Sequence, residues 1–205
     1  LAGIPPGANL FSLDLEEIRQ RIERESWVHS ANVVRALPNK IQVTYRSQKP
    51  EAILGADSMY YLNSEGKPFY RLRAGDSLAY PLVQIDGKPN SNEGLRERVA
   101  KSVKILHRFK SSSLFSEKDL GDLTVVSESD DGSAPYFLTL RYPPKNHPGK
   151  IQPLGRLYTV SLGEGDVERQ VKHWEAVVRY LVQAGKKPRL IRLELGKKVV
   201  VKLER

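Results

Sequence analysis

Cysteine is absent from the 205 residues, which excludes disulfide bridges and a thiol nucleophile and leaves nothing to read about redox compartment. No run of apolar residues is long enough to cross a bilayer as a helix. No serine sits in a Gly-x-Ser-x-Gly elbow, so the nucleophile geometry of a common hydrolase class is missing. Histidine is sparse: His29, His107, His147 and His173 lie far apart, and none pairs with another His, Asp or Glu at a ligand spacing within one element. They read as surface or partly buried side chains. Leu162-Gly163-Glu164-Gly165-Asp166 is superficially like a phosphate loop. It lacks the Lys-Ser/Thr pair and carries two carboxylates where an anion would bind, so it reads as a strand-to-helix turn capped by Asp166. Internal repeats and low-complexity tracts are missing as well.

What is present belongs to a globular chain. An apolar fraction of 40% over 205 residues supports one sizeable core or two small ones. Lys and Arg number 33 against 24 Asp and Glu, a net charge of +9, and an excess of that size attracts nucleic acid, anionic lipid or acidic proteins. Most of the cations are interleaved with acids, as in the stretch from Glu16 to Arg24, which is the pattern of a solvated helix face. Lys186-Lys187, Lys197-Lys198 and the pair Arg71 and Arg73 are the exceptions. Tyr60, Tyr61, Phe69 and Tyr70 lie near that last pair, but strand aromatics in a domain of this size read first as core or cross-strand partners.

The clearest organisation runs from Asn9 to Pro50. Asp14 is placed to cap a helix, Glu17 to bond back to the cap, and Leu13 to staple onto Ile18, with Leu15, Ile18 and Ile22 as the apolar face. After Ser26 the period changes to alternation through Trp27, Ala31 and Val33. A Pro38-Asn39 turn follows, then Ile41, Val43 and Tyr45, which together make an α-β-β unit. A domain boundary falls near Lys49-Pro50.

Short strands are expected at Ile53-Leu54, Tyr60 to Leu62, Phe69-Tyr70 and Leu82 to Ile85, with turns at Gly55, Asn63 to Gly66 and Asp86-Gly87. Leu95, Val99, Val103 and Leu106 mark one face of a helix from Asn92 to about Lys110, ended by Ser111-Ser112-Ser113. Strands follow at Leu123 to Val126, Tyr136 to Leu140 and Leu157 to Val160, with Pro143 to Lys150 as a protruding loop. Val167, Val171, Trp174, Val177, Val178, Leu181 and Val182 define a second long helix, stopped by Gly185. Two strands end the chain, Leu190 to Leu195 and Val199 to Leu203. The fold class is α+β.

One set of residues carries a resemblance. Asn9-Leu10-Phe11-Ser12-Leu13-Asp14-Leu15, Ile18, Trp27-Val28, Ala31, Val33, Arg35, Pro38, Ile41, Val43, Pro50 and Ala52 resemble the POTRA domain of the bacterial cell-division family FtsQ/DivIB. Shorter matches continue at Leu62 to Gly66, Pro81-Leu82-Val83 and Leu162-Gly163, so the resemblance spans nearly the whole chain. The chain departs from the family pattern at three places: Ser26 stands where Pro is usual, Ser47-Gln48 where Glu-Arg is common, and Glu164 where a basic residue often follows Leu-Gly.

The resemblance implies a POTRA-type αββ unit over residues 1–49, lacking its N-terminal part, and a β domain over residues 50–205 with a mixed sheet and two long helices. It implies that a strand and a helix precede Asn9, that Leu1-Ala2-Gly3 is the tail of that helix, and that a membrane helix lies further upstream; starting on Leu1 and not Met, the chain is expected to be a fragment or a processed form. The location implied is the extracytoplasmic, periplasmic side of the cell membrane. The implied function is a non-enzymatic division scaffold without cofactor, metal, small-molecule substrate or nucleic acid, joined to FtsB-like and FtsL-like proteins. The terminal strands of the β domain would take up the FtsB-like partner. That puts the contact at Arg192, Glu194, Leu195, Gly196, Lys198, Val199, Val200, Val201, Lys202 and Leu203, with Glu164 beside them. Lys198 to Leu203 is a β-branched strand whose edge would offer free N–H and C=O groups. The alternatives are a POTRA-bearing component of outer-membrane protein assembly, which calls for tandem repeats or a barrel, and a basic nucleic-acid-binding domain.

Overall fold

The computed structural model describes residues 9–85, 92–114, 124–127, 135–142, 156–163, 165–193 and 198–204. The chain divides into two units, Leu1–Lys49 and Pro50–Arg205.

In the first unit, α1 (Leu15–Glu23) starts where Asp14 accepts hydrogen bonds from the N–H groups of Glu16 and Glu17, satisfying two donors that a helix leaves open. Glu17 does not complete a capping box. Its carboxylate accepts from Arg21 one turn on, at 2.7 Å, the usual i, i+4 pairing along a helix surface. Leu13 packs on the cluster of Ile18, Ile22 and Val33, as a staple does. The hairpin β1 (Val28–Ala36) and β2 (Lys40–Ser47) is antiparallel, with Val33 opposite Val43 and Ala31 opposite Tyr45. Its turn contains a cis Leu37-Pro38 bond.

Trp27, Val43 and Tyr45, which carry the alternation, are exposed; α1 lies over β1, and no other described element of this unit covers β2. Polar bridges add to the contact. Arg35 donates to the carbonyls of Leu10 and Leu13, and the Glu23 carboxylate accepts from the Ala31 N–H.

Among the described residues the second unit is built on one nine-stranded mixed sheet. Its elements are β3 (Ala52–Gly55), β4 (Met59–Leu62), β5 (Pro68–Arg71), β6 (Leu82–Ile85), α2 (Asn92–Lys110), β7 (Thr124–Ser127), β8 (Tyr136–Tyr142), β9 (Arg156–Leu162), α3 (Val167–Gln183), β10 (Pro188–Arg192) and β11 (Val200–Leu203). The strand order is β11-β10-β9-β8-β7-β6-β3-β4-β5. The parallel pairs β3 with β6, β6 with β7 and β9 with β10 need crossovers; α2 lies in the second connection and α3 in the third. Among the described residues the ladder ends at β11 on one side and β5 on the other.

Both helices bury their apolar stripes against one core. Val99, Val103, Leu106 and Phe109 of α2 meet Val171, Trp174, Val178 and Leu181 of α3, over Val83, Val125, Leu138, Val160 and Ile191 of the sheet. β8 shows the two-residue period directly, with Tyr136, Leu138, Leu140 and Tyr142 buried and the residues between them half-buried. Trp174 is 2% exposed, and its indole N–H donates to the Tyr158 hydroxyl at 2.8 Å. Burial pushes the Tyr158 hydroxyl above the usual tyrosine range.

Tyr61 is buried, stacks with Phe69 and Tyr70 and meets Tyr80 edge-on, so the aromatic group near Arg71 and Arg73 is mainly cross-strand packing. The turn at Asn63 to Gly66 is pinned by the Asn63 side chain, which accepts from the N–H groups of Glu65 and Lys67. Gly66 has φ +78°, and a Cβ there would lie 2.7 Å from the Cα of Ala100 on α2, so both conformation and the approach of the helix require glycine.

Asp166 caps α3 through the Glu168 N–H. Gln170, which the apolar pattern of the helix passes over, is buried and grips Gly163 from both sides, accepting from its N–H and donating to its carbonyl. Gly185 ends the helix at φ +63°, and the Lys186 N–H returns to the Leu181 carbonyl in the wrap typical of a left-handed cap. The loop from Pro143 to Lys150, the Asp86-Gly87 turn and Leu1 to Gly3 lie outside the described residues.

Candidate functional site

The terminal ribbon of the large sheet brings most of the sequence-derived contact residues together. β10 and β11 pair antiparallel with Arg192 opposite Val200, Ile191 opposite Val201, Leu190 opposite Lys202 and Pro188 opposite Leu203. The register slips by one residue between Pro188 and Leu190, a bulge that lies on β10 and leaves the alternation of β11 intact. β11 has β10 on one side and no other described strand on the other. Glu164, Glu194, Leu195 and Gly196 fall outside the described residues.

Two hydrogen bonds fix which way the backbone of β11 faces. The Glu204 N–H donates to the Lys187 carbonyl at 3.0 Å, and the Leu193 N–H donates across to Ser161 on the β9 side at 2.8 Å. In an antiparallel ladder N–H direction alternates along each strand. Glu204 facing β10 therefore turns Lys202 and Val200 toward β10. Leu193 facing β9 turns Arg192 and Leu190 toward β11, the same phase reached from the other strand. Val201 and Leu203 consequently direct both N–H and C=O away from the sheet, at its edge.

Side chains divide by the same period. Val199 and Val201 are half-buried and pack on the helix-covered core, whereas Lys198, Val200 and Lys202 are exposed on the opposite face with Arg192. Leu190, absent from the sequence-derived set, stands on that face opposite Lys202. Only the pairing across the ribbon exposes its place, because sequence alternation alone does not fix register through a bulge.

No group of three His, Asp or Glu among the described residues could hold a metal ion. His29 is exposed on β1, His173 is half-buried on α3, and His107 lies 3.7 Å from Glu51; His147 is not among the described residues.

A small helix-and-hairpin unit and a larger unit built on a mixed sheet make this an α+β protein, and comparison with known proteins makes the class more specific. Residues 1–44 match the family described as POTRA domain, FtsQ-type. The chain is similar to cell division proteins FtsQ, and with some of them the similarity runs along nearly its whole length. It is 34% identical over 128 residues to the cell division protein FtsQ of Syntrophotalea carbinolica, covering 61% of this chain and 45% of that protein. It is 26% identical to the cell division protein FtsQ of Myxococcus fulvus, over 95% of this chain and 62% of the relative. The same protein of Geotalea daltonii is 26% identical over 98% of this chain and 68% of its own length. The chain thus spans from about half to two thirds of these relatives. No described helix is long and apolar enough to cross a membrane.

Proposed function

We propose that this chain serves bacterial cell division as a non-enzymatic scaffold on the outer side of the cytoplasmic membrane, held there by a membrane helix upstream of Leu1. Its first unit acts as a POTRA domain and residues 50–205 as the β domain. It holds FtsB-like and FtsL-like proteins, and the FtsB-like one adds a strand to β11. The observation that carries this reading is the phase of β11: Val201 and Leu203 point their N–H and C=O groups out of the sheet edge, where a partner strand takes them up. Val199 and Val201 below that edge pack on the core and hold the template rigid.

Proline distinguishes the two phases because it removes one N–H. Val200→Pro deletes a bond to β10 and is expected to lower the melting temperature markedly. Val201→Pro deletes an outward N–H; the chain should fold and lose binding to an FtsB-like segment, measured by titration calorimetry. Lys202→Ala should leave folding unchanged. Retained binding by a folded Val201→Pro protein sinks the strand-addition reading, and equal unfolding of both proline variants sinks the edge phase.

A further inference from the structure

The charge around β11 is strongly one-sided. Between Lys186 and Lys202 stand seven Lys and Arg against one acid, Glu194, which accounts for six of the nine net positive charges. On α1 the cations are neutralised locally, Arg19 by Glu16 and Glu23 and Arg21 by Glu17. Lys186, Lys187, Arg189, Lys198 and Lys202 are exposed, and none has a carboxylate partner among the described residues.

Resting on the strand-addition reading, we propose that the β11 edge selects a partner strand that is acidic on one face and apolar on the other. A strand added beside β11 sets its side chains directly opposite those of β11, on the same face, with Cβ atoms about 5 Å apart. Residues facing Lys198 and Lys202 therefore lie on the exposed side of the sheet, four positions apart, where carboxylates meet two unneutralised ammonium groups. Residues facing Val199 and Val201 lie on the helix side, where apolar side chains extend the core. The required pattern has period two: Glu or Asp alternating with Val, Ile or Leu.

Edge lysines also discourage unwanted pairing, and the same two residues serve both ends. If two copies of β11 paired antiparallel about Val200, Lys198 of each would stand opposite Lys202 of the other, so self-association is repelled while an acidic strand is drawn in.

The test uses the 205-residue chain and two fluorescein-labelled octapeptides, one alternating Glu and Val, the other Lys and Val, followed by fluorescence anisotropy. The Glu–Val peptide is expected to bind about tenfold more tightly than the Lys–Val peptide at low salt, the summed effect of a few exposed pairs. That advantage should shrink as salt rises from about 0.05 M to about 0.5 M. Lys198→Glu with Lys202→Glu should reverse the preference, and Val201→Pro should remove binding of both peptides.

Equal binding of the two peptides, or a preference unmoved by the double charge reversal, overturns the proposal and leaves strand addition standing. So does failure of both peptides where an FtsB-like segment still binds in a Val201-dependent way. If Val201→Pro leaves Glu–Val binding intact, carboxylates adhere without adding a strand, and the proposal falls. If phosphatidylglycerol vesicles sediment the chain through Lys198 and Lys202 while the peptides are not discriminated, the cations serve a lipid surface and the proposal is again wrong.

Discussion

The two units hold themselves together by different means. Among the described residues the first buries three apolar side chains, Ile18, Ile22 and Val33, and surrounds them with Arg35 on two carbonyls, Glu23 on the Ala31 N–H and Arg19 between two glutamates. The second gathers 23 buried apolar residues into one cluster spanning the sheet and both helices. Apolar burial is insensitive to salt and to carboxylate protonation, whereas exposed ion pairs and caps respond to both. The difference therefore predicts a salt- and acid-sensitive first unit beside a second unit governed by packing. It also bears on the candidate site, since a rigid strand edge is supplied by the unit with the larger core.

The largest effect is expected where that core is densest. Trp174→Ala removes a side chain at 2% exposure, packed on Phe109 with ring centroids 4.9 Å apart, and should destabilise the second unit by about 3–5 kcal/mol. Urea denaturation followed through tyrosine fluorescence measures it. A loss of under about 1 kcal/mol would mean that the cluster is not the source of stability assigned to it here.

Ile22→Ala tests the small cluster. It should cost about 2–4 kcal/mol, and because so few apolar partners share the load, hydrogen exchange should rise throughout α1 and the β1–β2 hairpin. Exchange confined to the last turn of α1 would show that the polar bridges alone hold the unit.

Tyr158→Phe keeps the volume but removes the acceptor of the Trp174 indole N–H. Leaving that buried donor unsatisfied should cost about 1–3 kcal/mol, less than the loss of Trp174 itself. A neutral Tyr158→Phe would argue that the indole finds another acceptor, which a crystal structure of the variant would reveal.

How much of this was legible in the sequence follows the same division. Helix starts at Asp14 and Asp166 and the stop at Gly185 could be read because each rests on a local backbone need that one residue type satisfies. The apolar stripe of α3 could be read because burial imposes its period. Gln170 could not: a glutamine in such a stripe is indistinguishable from a surface residue until the Gly163 turn is brought beneath it. Trp27, Val43 and Tyr45 alternate as core residues do and remain exposed, since period reports which side chains share a face and not whether that face is covered. At the candidate site the strand identity of Val200 to Leu203 was visible in its β-branched residues. Which N–H groups face outward depended on bonds from Glu204 to Lys187 and from Leu193 to Ser161, contacts between segments that no local pattern encodes.

The smallest expected effect sharpens the contrast most directly, because it concerns charge alone. The Glu16 carboxyl is held down at about 2, against an ordinary value of 4.5, first by its hydrogen bonds from Arg19 and then by Gln20. Glu23 is lowered too, chiefly by the Ala31 N–H. A carboxyl whose folded value is depressed contributes stability that is fully present above its unfolded value and is lost as pH falls through the folded one. The window for Glu16 therefore runs from about pH 4.5 down to about pH 2. Both groups are at the surface, so the contribution is small and screened by salt. Glu16→Gln should slightly weaken α1 at about pH 6 in low salt, and the difference from the parent should shrink at about pH 2.5. Hydrogen exchange at α1 amides, compared with those of α3, reads this out: α3 should show no such convergence. A Glu16→Gln difference that is unchanged across the window, or equally large in about 0.5 M salt, would mean that side-chain packing rather than charge holds that helix.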